Sequence, residues 1–234
     1  MNDSDTTTRD AFLDGRLLLR QPKRGHRAGH DAMLLASAAT AAPGDRVVEF
    51  GAGVGAAGLA VARRVAGVDL TLVEIDPGLA ALAEENAAAN TLAARVVVLD
   101  VEAPAPAFAA AGLPPDSMDV VLMNPPFNHS GRHQASPVAE RGLAHQARAT
   151  TLVAWVNAAR RVLKPGGTLT LIWRADGLDA VLAAMDRGLG SLRVVPVHAD
   201  PTAPAIRVLV SAVKGGRAPL TLSAGLLLQQ GARE

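Results

Sequence analysis

Two kinds of segment alternate along this 234-residue chain, and that alternation constrains its fold most. Short runs of β-branched and aliphatic residues, such as residues 46–50 and 69–75, are each followed by an alanine-rich stretch with helical spacing. Antiparallel strands can be joined by short turns, whereas parallel strands need a long crossover, usually a helix. The spacing therefore predicts strand–helix–strand units with right-handed crossovers, and a single α/β domain around a mainly parallel sheet.

The same pattern assigns positions to seven strands and five main helices. Asp31 and Asp76 each precede a helical stretch and are predicted to cap it, and Pro77 suits a first helical turn. The predicted strands are residues 46–50, 69–75, 95–99, 119–123, 167–174, 192–198 and 206–214, and the helices are residues 31–42, 56–66, 77–90, 150–163 and 176–187.

Composition excludes several classes of protein. The chain has no Cys, which rules out a disulfide scaffold, a thiolate metal site and a cysteine nucleophile. No apolar run approaches the roughly 20 residues that cross a bilayer, and the first ten residues lack the features of a secretory signal. We therefore expect a soluble, cytoplasmic protein. Its hydrophobic residues amount to 49% but its aromatic ones to only 3%, which favours an aliphatic, closely packed core.

Positive charge is concentrated near the N-terminus, although the net charge of the chain is only +1. From Arg9 to Arg27 there are six basic residues and two acidic ones, a local net charge of +4. Such a stripe can neutralise phosphates, and it can equally be a solvated surface segment. RNA is therefore a candidate partner of this segment.

A glycine-rich turn follows the first predicted strand, with the sequence Glu49-Phe-Gly51-Ala-Gly53-Val-Gly55. Glycines between a buried strand and a helix let the backbone pass close under a ligand, and two classes of cofactor use such a turn. The pattern also satisfies the dinucleotide fingerprint. Glu49 favours a cofactor that carries an amino group and a sulfonium over a dinucleotide. Its carboxylate would attract these cationic groups and would repel the pyrophosphate of a dinucleotide.

Two further acidic residues follow neighbouring predicted strands. Glu74 ends the second strand, where either class of cofactor would place its ribose diol, and Asp100 closes the third. Ligands of open α/β sheets bind outside the carboxyl ends of the strands, so we expect both carboxylates to face the crevice beside the turn. Asp100 is a candidate acceptor for an adenine amino group or the first residue of a loop.

The fourth predicted strand ends in Asn124-Pro125-Pro126-Phe127. Prolines cannot extend the strand ladder, so they fix the backbone beyond it. The side-chain oxygen of Asn124 and the carbonyl of Pro125 are two acceptors that can hold both hydrogens of a planar amino group and aim its lone pair at an electrophile. Phe127 offers a ring face for a base swung out of its stack.

With these motifs the chain resembles the class I S-adenosylmethionine-dependent methyltransferases, in the amino-methylating branch marked by N-P-P-[YF]. It is most similar to the bacterial family that methylates the exocyclic amine of an adenine in the tRNA(Val) anticodon loop. The resemblance covers residues 9–217 and includes residues 24–32 and the LKPGG run at 163–167. It implies a Rossmann-like, seven-stranded sheet with an antiparallel last strand, S-adenosylmethionine as cofactor, a tRNA substrate, and Gly29 and Asp31 in the cofactor pocket.

Four alternatives stay open. An N-P-P-F form also occurs in guanine-amine rRNA methyltransferases, and related enzymes methylate a glutamine amide in a protein. A nicotinamide oxidoreductase leaves Glu49 and Asn124 without a role, and a non-catalytic RNA-binding module does not need an intact Asn124 motif.

Five of the six histidines lie in two predicted loops, and we interpret them as polar loop residues rather than metal ligands because no third ligand has the usual spacing. Basic residues after Phe127 favour a loop that contacts phosphate. We expect residues 1–30 to form a basic arm that packs on the domain, residues 31–217 the domain, and residues 218–234 a tail.

Overall fold

The computed structural model describes residues 6–25, 27–126 and 137–228, and for residues 137–149 the backbone alone. It contains eleven strands and six α-helices within that part of the chain. The strands are β1 (Thr7–Phe12), β2 (Leu17–Pro22), β3 (Arg46–Phe50), β4 (Asp69–Glu74), β5 (Arg95–Val98), β6 (Met118–Met123), β7 (Leu163–Arg174), β8 (Leu189–His198), β9 (Arg207–Lys214), β10 (Thr221–Leu222) and β11 (Leu226–Leu227). The helices are α1 (His30–Ala38), α2 (Ala56–Arg64), α3 (Pro77–Ala89), α4 (Ala105–Ala110), α5 (Pro137–Val162) and α6 (Leu178–Met185).

The central sheet runs β5-β4-β3-β6-β7-β9-β8. Strands β5, β4, β3, β6 and β7 are parallel, and β9 lies antiparallel between β7 and β8. The short strands β10 and β11 both pair with β8. The predicted seven-stranded, mainly parallel sheet with its antiparallel last long strand is confirmed.

Each face of the sheet carries its own layer of apolar side chains. Along β3, Val48 and Phe50 belong to the cluster that contains α5 and α6, while Val47 belongs to the cluster that contains α1 and α2. Side chains alternate between the faces of a strand, so Glu49 lies on the same side as Val47. Alternation therefore directs this carboxyl group under α2.

Asp76 caps α3 as predicted, and its side chain accepts hydrogen bonds from the backbone N–H groups of Gly78 and Leu79. The prediction that Asp31 caps α1 is wrong. Helix α1 begins one residue earlier, with Gly29 at the capping position and no side-chain cap, and Asp31 lies in its first turn. The carboxylate of Asp31 instead pairs with Arg207 at 3.0 Å.

The N-terminal arm forms an antiparallel hairpin of β1 and β2, which was not predicted from the sequence. We call residues 7–22 the N-terminal hairpin. Its buried Leu17 and Leu19 belong to the apolar cluster that contains α1 and α2. Helix α5 begins at Pro137, earlier than the predicted residue 150, and the LKPGG run belongs to β7. The boundaries proposed at residues 30 and 217 stay a prediction.

Within the described ranges, no helix is long and apolar enough to cross a membrane. In the same part of the chain, no three His, Asp or Glu side chains come together as a metal site would require. His26, His129 and His133 lie outside the described residues.

Candidate active site

The site forms where the order of the sheet reverses. Strands β3 and β6 are parallel neighbours, and their last residues, Phe50 and Met123, are paired. From β3 the chain goes on to β4 on one side, whereas from β6 it goes on to β7 on the other. Open α/β sheets have their ligand crevice at such a point. The fold therefore places the glycine turn and Asn124 next to each other.

A cavity of about 490 Å³ occupies this crevice. Its wall is made by five parts of the chain: the segment before and within α1, the glycine turn with its flanking residues, Leu79 of α3, Asn124, and C-terminal residues. Of the predicted site residues, those that line the cavity are Gly29, Asp31, Glu49, Gly51, Gly53 and Asn124. The expectation that the segment before α1 lies beside the glycine turn agrees with this arrangement.

The three glycines of the turn all have a positive φ, at 65° for Gly51, 56° for Gly53 and 85° for Gly55. A Cβ on Gly51 would lie 2.5 Å from Cη2 of Trp155, so the indole ring closes the space beneath the turn. A Cβ on Gly53 would meet nothing within 4 Å. Gly51 is thus held against the core, whereas Gly53 faces open space where a ligand can approach the backbone. Gly55 caps α2 and is not among the cavity-lining residues.

Glu49 is 5% exposed, and its Oε2 accepts a hydrogen bond of 2.6 Å from the backbone N–H of Gly58 in α2. Burial raises the pKa of Glu49 to about 8, an effect that the Gly58 hydrogen bond opposes and the nearby charge of Glu74 reinforces. A cation in the cavity would favour the ionised form of this carboxyl group. Glu49 is therefore suited to bind a positively charged group.

Glu74 is 6% exposed and is bonded to the turn itself. Its Oε2 accepts from the N–H of Gly53 at 2.7 Å, and its Oε1 accepts from Ile75 and Asp76 at 2.9 Å. Three backbone N–H groups thus fix the carboxylate, which in turn fixes Gly53. Glu74 is not among the cavity-lining residues, so its contact with a ribose stays a prediction.

Asp100 lies after β5, is exposed, and accepts a hydrogen bond of 2.8 Å from the N–H of Glu102. It too is absent from the cavity wall. This geometry is that of an Asp that begins a turn. Its proposed contact with an adenine amino group also stays a prediction.

Asn124 is half-buried at the end of β6. Its Oδ1 atom is buried and has no hydrogen-bond partner among the described residues. A buried oxygen without a partner is costly, and most such atoms in proteins are bonded. Asn124 lines the cavity, so a donor on a ligand there is the natural partner of this atom. Pro125 is buried and Pro126 exposed, and Phe127 lies outside the described residues.

Residues near the C-terminus also line the cavity, and this contribution was not predicted from the sequence. Ile206, Arg207 and Leu228 line it, with Arg207 paired to Asp31 across the wall. These residues enter because β9 inserts between β7 and β8 and β11 pairs with β8. No local motif marks them. Arg27 also lines the cavity, although its sequence context indicated only a basic arm.

The model of the methyltransferase small domain family matches residues 28–199, which is more than half of the chain. A tRNA1(Val) (adenine(37)-N6)-methyltransferase of Porphyromonas gingivalis is 29% identical over 205 residues, covering 86% of this chain and 79% of that protein. A protein of the same name from Dyadobacter fermentans is 28% identical over 158 residues, covering 68% of this chain. The alignment spans 62% of the Dyadobacter protein.

Among solved structures, a predicted O-methyltransferase of Agrobacterium tumefaciens has a TM-score of 0.70 at 32% identity, covering 87% of this chain and 89% of that one. The 16S rRNA N2 G1207 methyltransferase of Thermus thermophilus, in complex with AdoMet and guanosine, has a TM-score of 0.60. It is 19% identical and covers 89% of this chain and 50% of that one, which shows likeness of fold alone. The match of the family model and the Agrobacterium likeness establish that this chain belongs to the methyltransferase small domain family.

Proposed function

We propose that this methyltransferase transfers the methyl group of S-adenosylmethionine to the exocyclic amine of a base in RNA, namely N6 of an adenine in tRNA. The observation that carries the proposal is the buried Oδ1 of Asn124, which has no partner among the described residues and belongs to a residue that lines the same cavity as Glu49 and Gly53. An acceptor for an amino group and a carboxyl group suited to a cation thus share one crevice.

The cavity residues fit S-adenosylmethionine. Glu49 offers a carboxylate to a cationic group, and the open space above Gly53 admits a ligand against the backbone. Asp31 and Gly29 add a polar wall from the start of α1. When bound, the cofactor supplies an electrophilic methyl group. The protein residues fix its orientation and surround it with the low-dielectric environment of the cavity.

The acceptor side requires positioning rather than a strong base. Asn124 Oδ1 and the Pro125 carbonyl would each accept one hydrogen of the amine and so direct the nitrogen lone pair towards the methyl group. The nitrogen would form its new bond to the methyl carbon as the bond from that carbon to sulfur breaks, with S-adenosylhomocysteine as the leaving group, and would then release a proton to water. Phe127 would stack on the flipped base, as the sequence pattern indicates.

Adenine in tRNA is the proposed target because two relatives that align with most of this chain are named for that activity. A guanine amine in rRNA is the second candidate, because the N-P-P-F form also occurs in guanine-amine rRNA methyltransferases and a ribosomal RNA small subunit methyltransferase C of Pseudomonas aeruginosa is 30% identical over 169 residues. Both bases present an exocyclic amine, so the Asn124 mechanism serves either.

The N-terminal hairpin and the residues after it are the proposed RNA-binding surface. Among the cations between Arg9 and Arg27, Arg20 pairs with Glu85 at 2.8 Å and Arg27 with Asp10 at 2.6 Å. The exposed cations of the segment are Arg9, Arg16, Lys23 and Arg24. We propose that these four contact phosphates, together with basic residues after Phe127, which lie outside the fully described part of the chain.

Substitution of Asn124 tests the mechanism. In Asn124→Ala we expect the rate of methyl transfer at saturating cofactor and RNA to fall on the order of 100-fold, because an acceptor of the amine is lost. The cofactor Kd, measured by calorimetry, should stay within about twofold of the wild-type value. Asn157→Ala is the matched control, because Asn157 is exposed on α5 and bonds only Arg160 in the described structure. Equal rates in Asn124→Ala and wild type would contradict the proposed role.

A further inference from the structure

Asn86 in α3 and Asn90 at its C-terminal cap dock the N-terminal hairpin as a neighbouring strand would. Asn90 accepts from the N–H of Leu18 at 2.9 Å and donates to its carbonyl at 2.7 Å. Asn86 accepts from the N–H of Arg20 at 2.7 Å and donates to its carbonyl at 3.0 Å. Four residues of a helix rise about 6 Å and two residues of a strand about 6.7 Å, so the two amides match alternate peptide groups of β2.

The two asparagines differ in their remaining donor. Asn86 is 1% exposed, and its Nδ2 also donates to the carbonyl of Val54 at 3.0 Å. Val54 lies between Gly53 and Gly55 in the glycine turn and lines the cavity. Asn90 instead donates to the carbonyl of Asn86, within its own helix, at 2.8 Å. One amide therefore joins the hairpin to the cavity wall, and the other only holds the hairpin.

The end of β2 reaches a second part of the wall through Gln21, which is 1% exposed. Its Nε2 donates to Asp10 at 2.6 Å, and its Oε1 accepts from the backbone N–H of Ala28 at 2.9 Å. Arg27 donates to the same carboxylate oxygen of Asp10 at 2.6 Å and to the carbonyl of Pro22 at 2.7 Å. Arg27 and Ala28 both line the cavity.

We propose that the N-terminal hairpin braces the cofactor cavity, with Asn86 and Gln21 as positioning residues that tie it to the glycine turn and to the segment before α1. Buried amides with every hydrogen bond satisfied hold their partners in one geometry. Cofactor affinity then depends on the two hydrogen bonds that connect the hairpin to the wall, from Asn86 to Val54 and from Ala28 to Gln21, although the hairpin itself lines no part of the cavity. This coupling is reciprocal. If a second ligand orders the hairpin and raises cofactor affinity, the cofactor raises the affinity for that ligand by the same factor.

The inference rests on the proposed cofactor, so binding of S-adenosylhomocysteine to the wild-type protein is measured first by calorimetry. In Asn86→Ala we expect its Kd to rise about tenfold, because the hydrogen bond to Val54 is lost. Asn90→Ala is the matched control: it removes the same kind of side chain and its two bonds to β2 but leaves the bond from Asn86 to Val54 in place, so its Kd should stay within about twofold. The Tm values of Asn86→Ala and Asn90→Ala are also measured, so that the loss of stability in the two variants can be compared.

Gln21→Leu is the second variant, and we expect its Kd to rise several-fold because Ala28 loses its acceptor. If Asn86→Ala does not fold, Gln21→Leu carries the test, because it breaks the other hydrogen bond between the hairpin and the wall and leaves Asn86 in place. Wild-type affinity in both the Asn86 and the Gln21 variants would overturn the brace. An equal loss in Asn90→Ala and Asn86→Ala would also overturn it. No binding to the wild type would instead contradict the proposed function.

Discussion

Glu49 is a carboxyl group whose burial holds its pKa near 8, far above the ordinary value of 4.5. The sequence identified this residue from its position two residues before the first glycine of the turn. It could not reveal the hydrogen bond from Gly58, which depends on how α2 packs over β3. A Cβ on Gly58 would lie 2.8 Å from Glu49 Oε2, so this glycine makes room for the carboxyl group.

Glu49 makes the stability of the ligand-free protein depend on pH. Its folded pKa is raised, so the folded state binds the proton more tightly than the unfolded state does, and stability is lost as pH rises from about 4.5 towards 8. In Glu49→Gln we expect that part of the loss to disappear, because the amide does not titrate. The check is the free energy of unfolding in urea at pH 5, 6, 7 and 8. An identical decline in variant and wild type would contradict the assignment.

Asn124 and Glu74 illustrate what a motif does and does not predict. The N-P-P-F motif correctly placed Asn124 in the crevice, because the carboxyl ends of β3 and β6 must meet in a parallel sheet. The position of Glu74 at the end of β4 was equally predictable. Its partners were not, since its three hydrogen bonds to backbone N–H groups depend on the path of the turn.

At the scale of elements, strands β3 to β7, helices α2 and α3 and the part of α5 from residue 150 onwards followed from their hydrophobic pattern, whereas α4 was not among the predicted helices. The N-terminal hairpin did not, although it carries a signal: Asp14-Gly15 lies between two runs of alternating exposure. Leu17, Leu19 and Gln21 are buried and Leu18 is exposed, the period of two that a strand requires. The prediction of a basic arm was based on the charge of this segment and did not use the alternation.

The LKPGG run forms an irregularity at the amino edge of the sheet. The register of the β6–β7 pairing shifts between Met118, which pairs with Leu163, and Val120, which pairs with Thr168. Residues 164–167 lie between these two pairs. Lys164 folds back to contact both carboxylate oxygens of Asp119 at 2.8 and 2.9 Å, and Asp119 also accepts from the N–H of Arg46 at 2.9 Å. One carboxylate thus joins β3, β6 and β7.

Asp119→Asn tests this junction. Partial burial raises the pKa of Asp119, but the hydrogen bonds from Lys164 and Arg46 and their charges outweigh it and leave the pKa below the ordinary value. The pair therefore stabilises the fold above that value, and the effect is lost as pH falls through the folded pKa. We expect the variant to lose about 1 kcal/mol of unfolding free energy at pH 7, and less at pH 3.

The cofactor Kd of Asp119→Asn should match that of the wild type, because Asp119 lies at the end of the sheet away from the cavity. A changed cofactor affinity with unchanged stability would show that the junction acts on the site instead.

At the scale of the whole molecule, the mainly parallel sheet followed from the alternation of strands and helices, and its antiparallel last long strand from the family resemblance. The full cavity wall did not, because it joins parts of the chain separated by nearly 180 positions, as the Asp31–Arg207 pair shows. Such a contact is fixed by the insertion of β9 between β7 and β8 and has no signal in either local sequence.

The distribution of charge predicts how RNA binding responds to salt. The double variant Arg9→Ala/Arg24→Ala removes two exposed cations of the N-terminal segment. We expect weaker RNA binding, a slope of log K against log salt that is shallower by about 2, and an unchanged cofactor Kd. The control is Arg187→Ala/Arg193→Ala, which removes two exposed cations at or beside β8. Equal slopes for the two double variants would place the RNA-binding surface elsewhere.

The identity of the methylated group tests the central claim most directly. The protein is incubated with methyl-labelled S-adenosylmethionine and total RNA from a strain that lacks its gene, and the labelled nucleoside is identified by chromatography and mass spectrometry. We predict N6-methyladenosine in the tRNA fraction, with little label when Asn124→Ala replaces the wild type. Label on a ribose oxygen, on a guanine amine or in protein would contradict the proposed adenine acceptor.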